Sequence, residues 1–190
     1  MPNSPESRQR SAARSVFLVG FMGSGKSSVG KALARHLGWP FMDLDDLIEQ
    51  QEGRTVAEIF AEAGETEFRR IERVALRELL TRSAVAHVVA LGGGAYAQND
   101  NAELIRQEGV TTVFLDASAE TLWQRCNDDP QDRPLRQTFE QFSALHQQRR
   151  PYYLRAMSRI DTSSKPAAEI AEELASKVRI GEIPGEEILR

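Results

Sequence analysis

From Ser15 onward, short apolar runs that end in Gly or Asp alternate with longer segments in which apolar residues recur three or four apart. The first pattern is that of strands and the second that of amphipathic helices, so the chain reads as a succession of β-α units. Strands are predicted at SVFLVG (15–20), PFMD (40–43), AVAHVVAL (84–91), VTTVFLD (110–116) and SRIDT (158–162). Helices are predicted at about 26–37, 45–51, 55–63, 66–82, 99–108, 118–126, 137–157 and 166–179. Several strands are continuously apolar instead of alternating. Such strands need cover on both faces, which a parallel sheet between two helical layers provides. A three-layer α/β/α sandwich is therefore expected.

Composition narrows this further. A chain of 190 residues corresponds to about one domain, and 41% apolar, 27% charged and 7% aromatic residues exclude disorder of the whole. Residues 1–14 read as a disordered arm, 15–179 as the folded domain and 180–190 as a loosely held tail. Lys and Arg number 24 against 28 Asp and Glu, a net charge of −4 that offers a polyanion no general attraction, so nucleic acid is not an expected partner. One cysteine, Cys126, cannot form an intrachain disulfide, and His36, His87 and His146 lack zinc-site spacing. No apolar run approaches the ~18 residues of a membrane span, and the polar start lacks an export signal. A cytoplasmic location with no membrane partner is expected.

The strongest local signal is GFMGSGKS, Gly20 to Ser27, which fits G-x-x-x-x-G-K-[ST] between an apolar strand and a helix. Glycines let backbone N–H groups converge on phosphates, and the helix start adds favourable dipole ends. Lys26 should reach the β- and γ-phosphates of ATP or GTP, and the Ser27 hydroxyl should ligate Mg²⁺. The bland alternative is a glycine-rich turn with a solvated lysine. In FMDLDD, side chains two apart in an extended segment face the same way, so Asp43 and Asp45 can share a cleft at the strand ends. Asp43 could hold a Mg²⁺-bound water and Asp45 could accept the proton of an attacking hydroxyl. A helix N-cap followed by first-turn acids accounts for the same residues, and the two roles can coexist.

Three further segments carry candidate chemistry. In GETEFRRIERVALREL, Arg69 and Glu72 lie three apart on one helical face, so Glu72 can hold an arginine whose planar fork matches a carboxylate. A solvated surface pair worth ~0.3–0.5 kcal/mol is the alternative. LGGGAY places Gly92, Gly93 and Gly94 at the sheet's carboxyl edge, where a substrate could approach bare backbone, or where the chain simply turns. The polar stretch NDDPQDRPLR (127–136) suits a mobile lid carrying Arg133, an arginine of the kind that contributes ~10³–10⁵ in rate when it closes on a transferring phosphate. Arg125, just before it, could stack on a nucleotide base, and Arg149, Arg150, Arg155 and Arg159 could form a small-anion site or a solvated basic helix.

Together GFMGSGKS, FMDLDD, EFRRIE, LGGGA, RPL and RRPYY follow the order and spacing of shikimate kinase, and the chain resembles that family over about residues 15–178. The resemblance implies transfer of the ATP γ-phosphate to the 3-hydroxyl of shikimate on the route to chorismate and aromatic amino acids. It also implies the P-loop NTPase fold of the nucleoside-monophosphate-kinase type, a five-stranded parallel sheet, one Mg²⁺ per subunit and a monomer. Carried over by position, Gly23, Ser24, Gly25, Lys26, Ser27 and Ser28 would wrap the nucleotide phosphates, and Ser27 with Asp43, the latter through water, would set Mg²⁺. Asp45, Arg69, Gly92, Gly93, Gly94 and Arg149 match shikimate contacts, Glu72 the support of the substrate arginine, and Phe60 and Phe68 apolar walls. Arg133 matches the lid arginine, and Arg125 and Pro166 match adenine contacts. Arg136 stands where the lid usually carries a second leucine. The chemistry fits independently: two arginines suit a carboxylate and an aspartate suits hydroxyls. A gluconate-kinase-like enzyme would share the phosphate loop but lack the glycine triplet with FRxxE. A catalytically silent nucleotide-binding module would typically have lost Lys26, Ser27, Asp43 or Arg133.

Overall fold

The structure is a computed structural model that describes residues 15–82, 85–128 and 138–179. The expected N-terminal arm (1–14), nearly all of the lid including Arg133 and Arg136, and the tail (180–190) lie outside the described residues. Strands β1 (Val16–Val19), β2 (Phe41–Asp43), β3 (Val88–Ala90), β4 (Thr111–Asp116) and β5 (Ser158–Asp161) form one sheet in the order β2-β3-β1-β4-β5. Every pairing is parallel. The helices are α1 (Lys26–Leu37), α2 (Leu44–Glu52), α3 (Val56–Arg82), α4 (Asn99–Gln107), α5 (Ala119–Asp128), α6 (Phe139–Tyr153) and α7 (Ala167–Arg179), with a 3₁₀ turn at Ala95–Ala97.

Strand periodicity sorts the core into two. Val16 and Leu18 of β1 face one way, with Val113 and Leu115 of β4, onto α1 and α7. Phe17 and Val19 face the other way, with Val89 and Phe114, onto a larger cluster drawn from α2 to α6. All four residues of β1 are buried, as are all six of β4. This is why both strands read as unbroken apolar runs, and each large side chain so placed contributes about 1.5–3 kcal/mol. Among the described residues, no helix is long and apolar enough to cross a membrane.

Three boundaries differ from the sequence reading, each for a tertiary reason. β3 is assigned from Val88, whose partner is Val16, where the sequence reading began it at Ala84; ahead of it His87 still bonds to Ser15 and Val16 but outside the ladder, and Ala84 lies outside the described residues. α6 ends at Tyr153, four residues early: the Met157 amide turns to the Thr112 hydroxyl, and β5 takes over at Ser158 to pair with β4. α3 is assigned as one helix, yet Gly64 inside it has φ 78° and ψ 175°, a break at the gap expected between two helices.

Sheet order puts the functional residues together. β1 is flanked by β3 and β4, so the chain leaves the sheet's carboxyl edge in different directions on either side of it, which opens a crevice there. The loops after β1, β2 and β3 all open into it.

Candidate active site

The loop after β1 is bent by positive φ at Gly20, Gly23 and Gly25. Gly23 shows why: a Cβ there would sit 2.7 Å from Cys126 Sγ and 2.8 Å from the Leu122 carbonyl, so only glycine lets the loop lie against α5. Gly25 caps α1 without any side-chain hydrogen bond, which leaves first-turn N–H groups for an anion. Lys26 folds back over the loop, its Nζ donating to the Phe21 carbonyl at 2.9 Å. The Ser24 hydroxyl is buried without a hydrogen-bond partner among the described residues, and Ser28 lies exposed on the first turn of α1.

The acidic pair corrects one expectation. Asp43 and Asp45 do not share an extended segment: Asp43 is the N-cap of α2, and Asp45 stands in its first turn. The Asp45 amide donates to Asp43 Oδ1 at 3.1 Å, while Asp43 Oδ2 accepts from the Ser27 hydroxyl at 2.8 Å. The cap and the functional placement coexist. Capping orients the Asp43 carboxylate at the phosphate loop and turns Asp45 to the glycine triplet, where its Oδ1 would lie 2.6 Å from a Cβ on Gly92.

The triplet forms a wall against which two arginines lie. A Cβ on Gly94 would meet the Arg69 guanidinium at 2.5–2.8 Å, and one on Gly93 would lie 3.9 Å from Arg149 Nη1 and 3.8 Å from the Met22 amide of the phosphate loop. Arg69 Nη1 donates to both Glu72 oxygens at 3.0 Å, and its side chain is 16% exposed against 1% for Glu72. Glu65 takes another edge of the guanidinium, which lies 5.1 Å from the Phe68 ring centre and 6.0 Å from that of Phe60. The two rings contact each other at 4.5 Å. The solvated-pair alternative for Arg69 and Glu72 does not hold.

Burial dominates the electrostatics. It pushes the Asp45 carboxyl up to about 6, with Asp43 adding to the rise and Lys26 and Arg69 opposing it. Glu72 is pushed up to about 7 by burial, against its pairing with Arg69. That Asp45 feels both Lys26 of the phosphate loop and Arg69 of α3 places both ends of the cleft around one carboxylate.

The second arginine cluster separates. Arg149 joins the site, its guanidinium 5.9 Å from the Phe21 ring. Arg150 and Arg159 instead clasp Asp116 at 2.7 and 2.8 Å, and Arg155 reaches Asn99 at 3.0 Å. No single small-anion site gathers all four. Arg125 donates to the Thr162 hydroxyl and to the Thr162 and Ser163 carbonyls, which pins it to the segment leading to Pro166 at the head of α7. Two residues escaped the sequence reading. Tyr153 donates its hydroxyl to the Gly93 carbonyl, and burial pushes that phenol up to about 12, with Arg149 pulling against it. Its place four residues after Arg149, one helical turn on, was a usable signal. Phe21, inside the phosphate loop, carried none.

Ser27 and Asp43 are oxygen donors of the hard type that Mg²⁺ prefers, and the unpartnered Ser24 hydroxyl lies in the same loop. Among the described residues no three His, Cys, Asp or Glu side chains gather as a metal cage. One hydroxyl and one carboxylate suit an ion that keeps waters and takes phosphate oxygens.

A family model described as "Shikimate kinase" matches residues 22–179. The chain is 37% identical over 166 residues to the shikimate kinase of Persephonella marina, covering 87% of this chain and 99% of that one. The structure of shikimate kinase from Acinetobacter baumannii in complex with shikimate superposes with a TM-score of 0.77 at 36% identity, covering 88% of this chain and 93% of that one. The Aquifex aeolicus shikimate kinase structure gives 0.76 at 32% identity, covering 90% and 99%. These structures share the P-loop NTPase fold of the nucleoside-monophosphate-kinase type. The match runs from the phosphate loop to the last residue of the last helix, and the chain belongs to the shikimate kinase family.

Proposed function

We propose that this cleft transfers the γ-phosphate of ATP to the 3-hydroxyl of shikimate. The observation that carries the reading is the gathering of Asp45, Arg69 and Arg149 around the Gly92–Gly94 wall beside the phosphate loop. The substrate carboxylate lies against the two guanidiniums, and the glycine wall lets the ring approach backbone. Arg69 arrives already oriented by Glu72 and Phe68, and Arg149 is flanked by Phe21 and Tyr153, so little freedom is lost on binding.

Asp45 orients the acceptor hydroxyl and takes its proton. A carboxyl near 6 is mostly ionised at neutral pH yet more basic than an ordinary aspartate, which suits that task. On nucleotide binding, Lys26 exchanges the Phe21 carbonyl for the β- and γ-phosphate oxygens, while the amides around Gly23–Ser28 and the Ser24 hydroxyl donate to the phosphates. Ser27, with Asp43 through water, would hold one Mg²⁺, which supplies charge neutralisation at the phosphates when bound. Arg125 and Pro166 flank the adenine, and Arg133, outside the described residues, is assigned the stabilisation of charge on the transferring phosphate. Such a reaction needs positioning and charge stabilisation rather than a covalent intermediate. The same reading has the enzyme work as a monomer in the cytoplasm.

The test is ADP release with shikimate and with gluconate side by side. Mg²⁺-dependent turnover is expected with shikimate alone. Equal rates would reject the specificity, and no turnover with either would support the catalytically silent reading.

A further inference from the structure

Away from the cleft, a cavity of about 470 Å³ lies between α4, the entering end of β4 and the segment joining α6 to β5. Its size is within the range of small-molecule sites. Ile105 and Val110 are buried in its lining, while Met157 at its lip is 53% exposed, an unusual place for a large apolar side chain.

Two polar features point to a ligand. Tyr96, whose side chain carries a phenol hydroxyl, is only 6% exposed and lines the cavity. Arg155 stacks at 4.9 Å on the Tyr152 ring, donates from Nε to the Tyr152 carbonyl and from Nη1 to Asn99, and meets no carboxylate among the described residues. Its guanidinium is therefore oriented but not neutralised. The remaining rim charges cancel, because Arg106 pairs with Glu103 at 2.6 Å.

We propose that this cavity is a second binding site, for a small monocarboxylate with a flat apolar body. Arg155 takes the carboxylate through its unengaged Nη2, Tyr96 donates its hydroxyl to the same group, and the body lies on Ile105, Val110 and Met157. A single uncompensated positive charge matches a monoanion; a phosphate dianion would also face Glu103.

The probe is 3-phenylpropionate, titrated into the enzyme held saturated with shikimate so that Arg69 and Arg149 are occupied, with binding followed by amide chemical shifts. For a ligand of this size a dissociation constant on the order of 1 mM is expected, with saturable shifts at Tyr96, Ile105, Val110 and Thr112. Arg155→Gln should weaken binding about tenfold or more, in keeping with loss of a charge-assisted pair, and the neutral amide of the probe should bind as weakly. Arg155 is exposed and outside the cleft, so unchanged turnover of the variant verifies its fold. Shifts confined to the Asp45–Arg69–Arg149 cleft, equal affinity in Arg155→Gln, or no saturation by 10-fold above the expected constant each overturn the proposal.

Discussion

Asp45 owes its chemistry to a balance in which burial wins over two nearby cations. Protonation below about pH 6 removes its ability to accept the hydroxyl proton, so kcat/KM for shikimate in the free enzyme should fall tenfold per pH unit on the acid side of about 6, measured from pH 5 to 9. Asp45→Asn should lower turnover by ~10²–10⁴ while leaving ATP affinity within a few-fold. Collapse of nucleotide affinity with shikimate affinity intact would move Asp45 to the other substrate. Arg149→Ala or Arg69→Ala should cost about 2–5 kcal/mol of shikimate binding, read as a rise in KM, where the carboxylate is desolvated. Each of these residues was legible in the sequence because its type is chemically specific and its motif fixes its spacing. Tyr153 and Phe21 were not, since aromatic residues in an apolar setting look the same whether they fill a core or brace an arginine.

Elements decide whether those side chains converge. Asp45 comes from the N-terminal end of α2, Arg69 from α3 and Arg149 from α6, and they meet where the glycine wall after β3 faces the loop that starts α1. A methyl group on Gly94 would strike the end of a flexible arginine, whereas one on Gly23 would strike the Leu122 backbone at a positive φ. Gly94→Ala should therefore keep its melting temperature within a few degrees but raise the shikimate KM about tenfold or more. Gly23→Ala should lose about 1–3 kcal/mol of stability in denaturant unfolding as well as nucleotide affinity. The α1 and β4 boundaries were nearly legible from periodicity, because unbroken burial and helical spacing are local statements. The start of β3 and the end of α6 were not, because each is set by where a neighbouring strand stops or starts. Asp45 makes the same point within one motif: its type was readable, but its place on a helix instead of an extended segment depended on Asp43 capping α2.

For the whole molecule, gathering charge into one buried cleft has a stability consequence. The folded carboxyls of Asp45 and Glu72 hold protons up to about 6 and 7, against ordinary values of 3.8 and 4.5. Protons bound more tightly in the folded state stabilise it below the unfolded values, and that contribution is lost as pH rises through the folded ones. The ligand-free enzyme should thus melt at a lower temperature at pH 8 than at pH 5, and Asp45→Asn should flatten the decline; identical slopes in the two proteins would contradict the burial argument. Exposed carboxylates held low by arginine, such as Glu103, act only at more acidic pH, outside that window. The layered α/β class, the phosphate loop and the identity of nearly every side chain in the cleft could be read from the residues alone, since periodicity and motif spacing are properties of neighbouring residues. Which arginines share a site depends on packing: Arg149 turns to the glycine wall while its neighbour Arg150 turns to Asp116, because successive residues on a helix point about 100° apart and the seating of α6 on the sheet sets which face looks where.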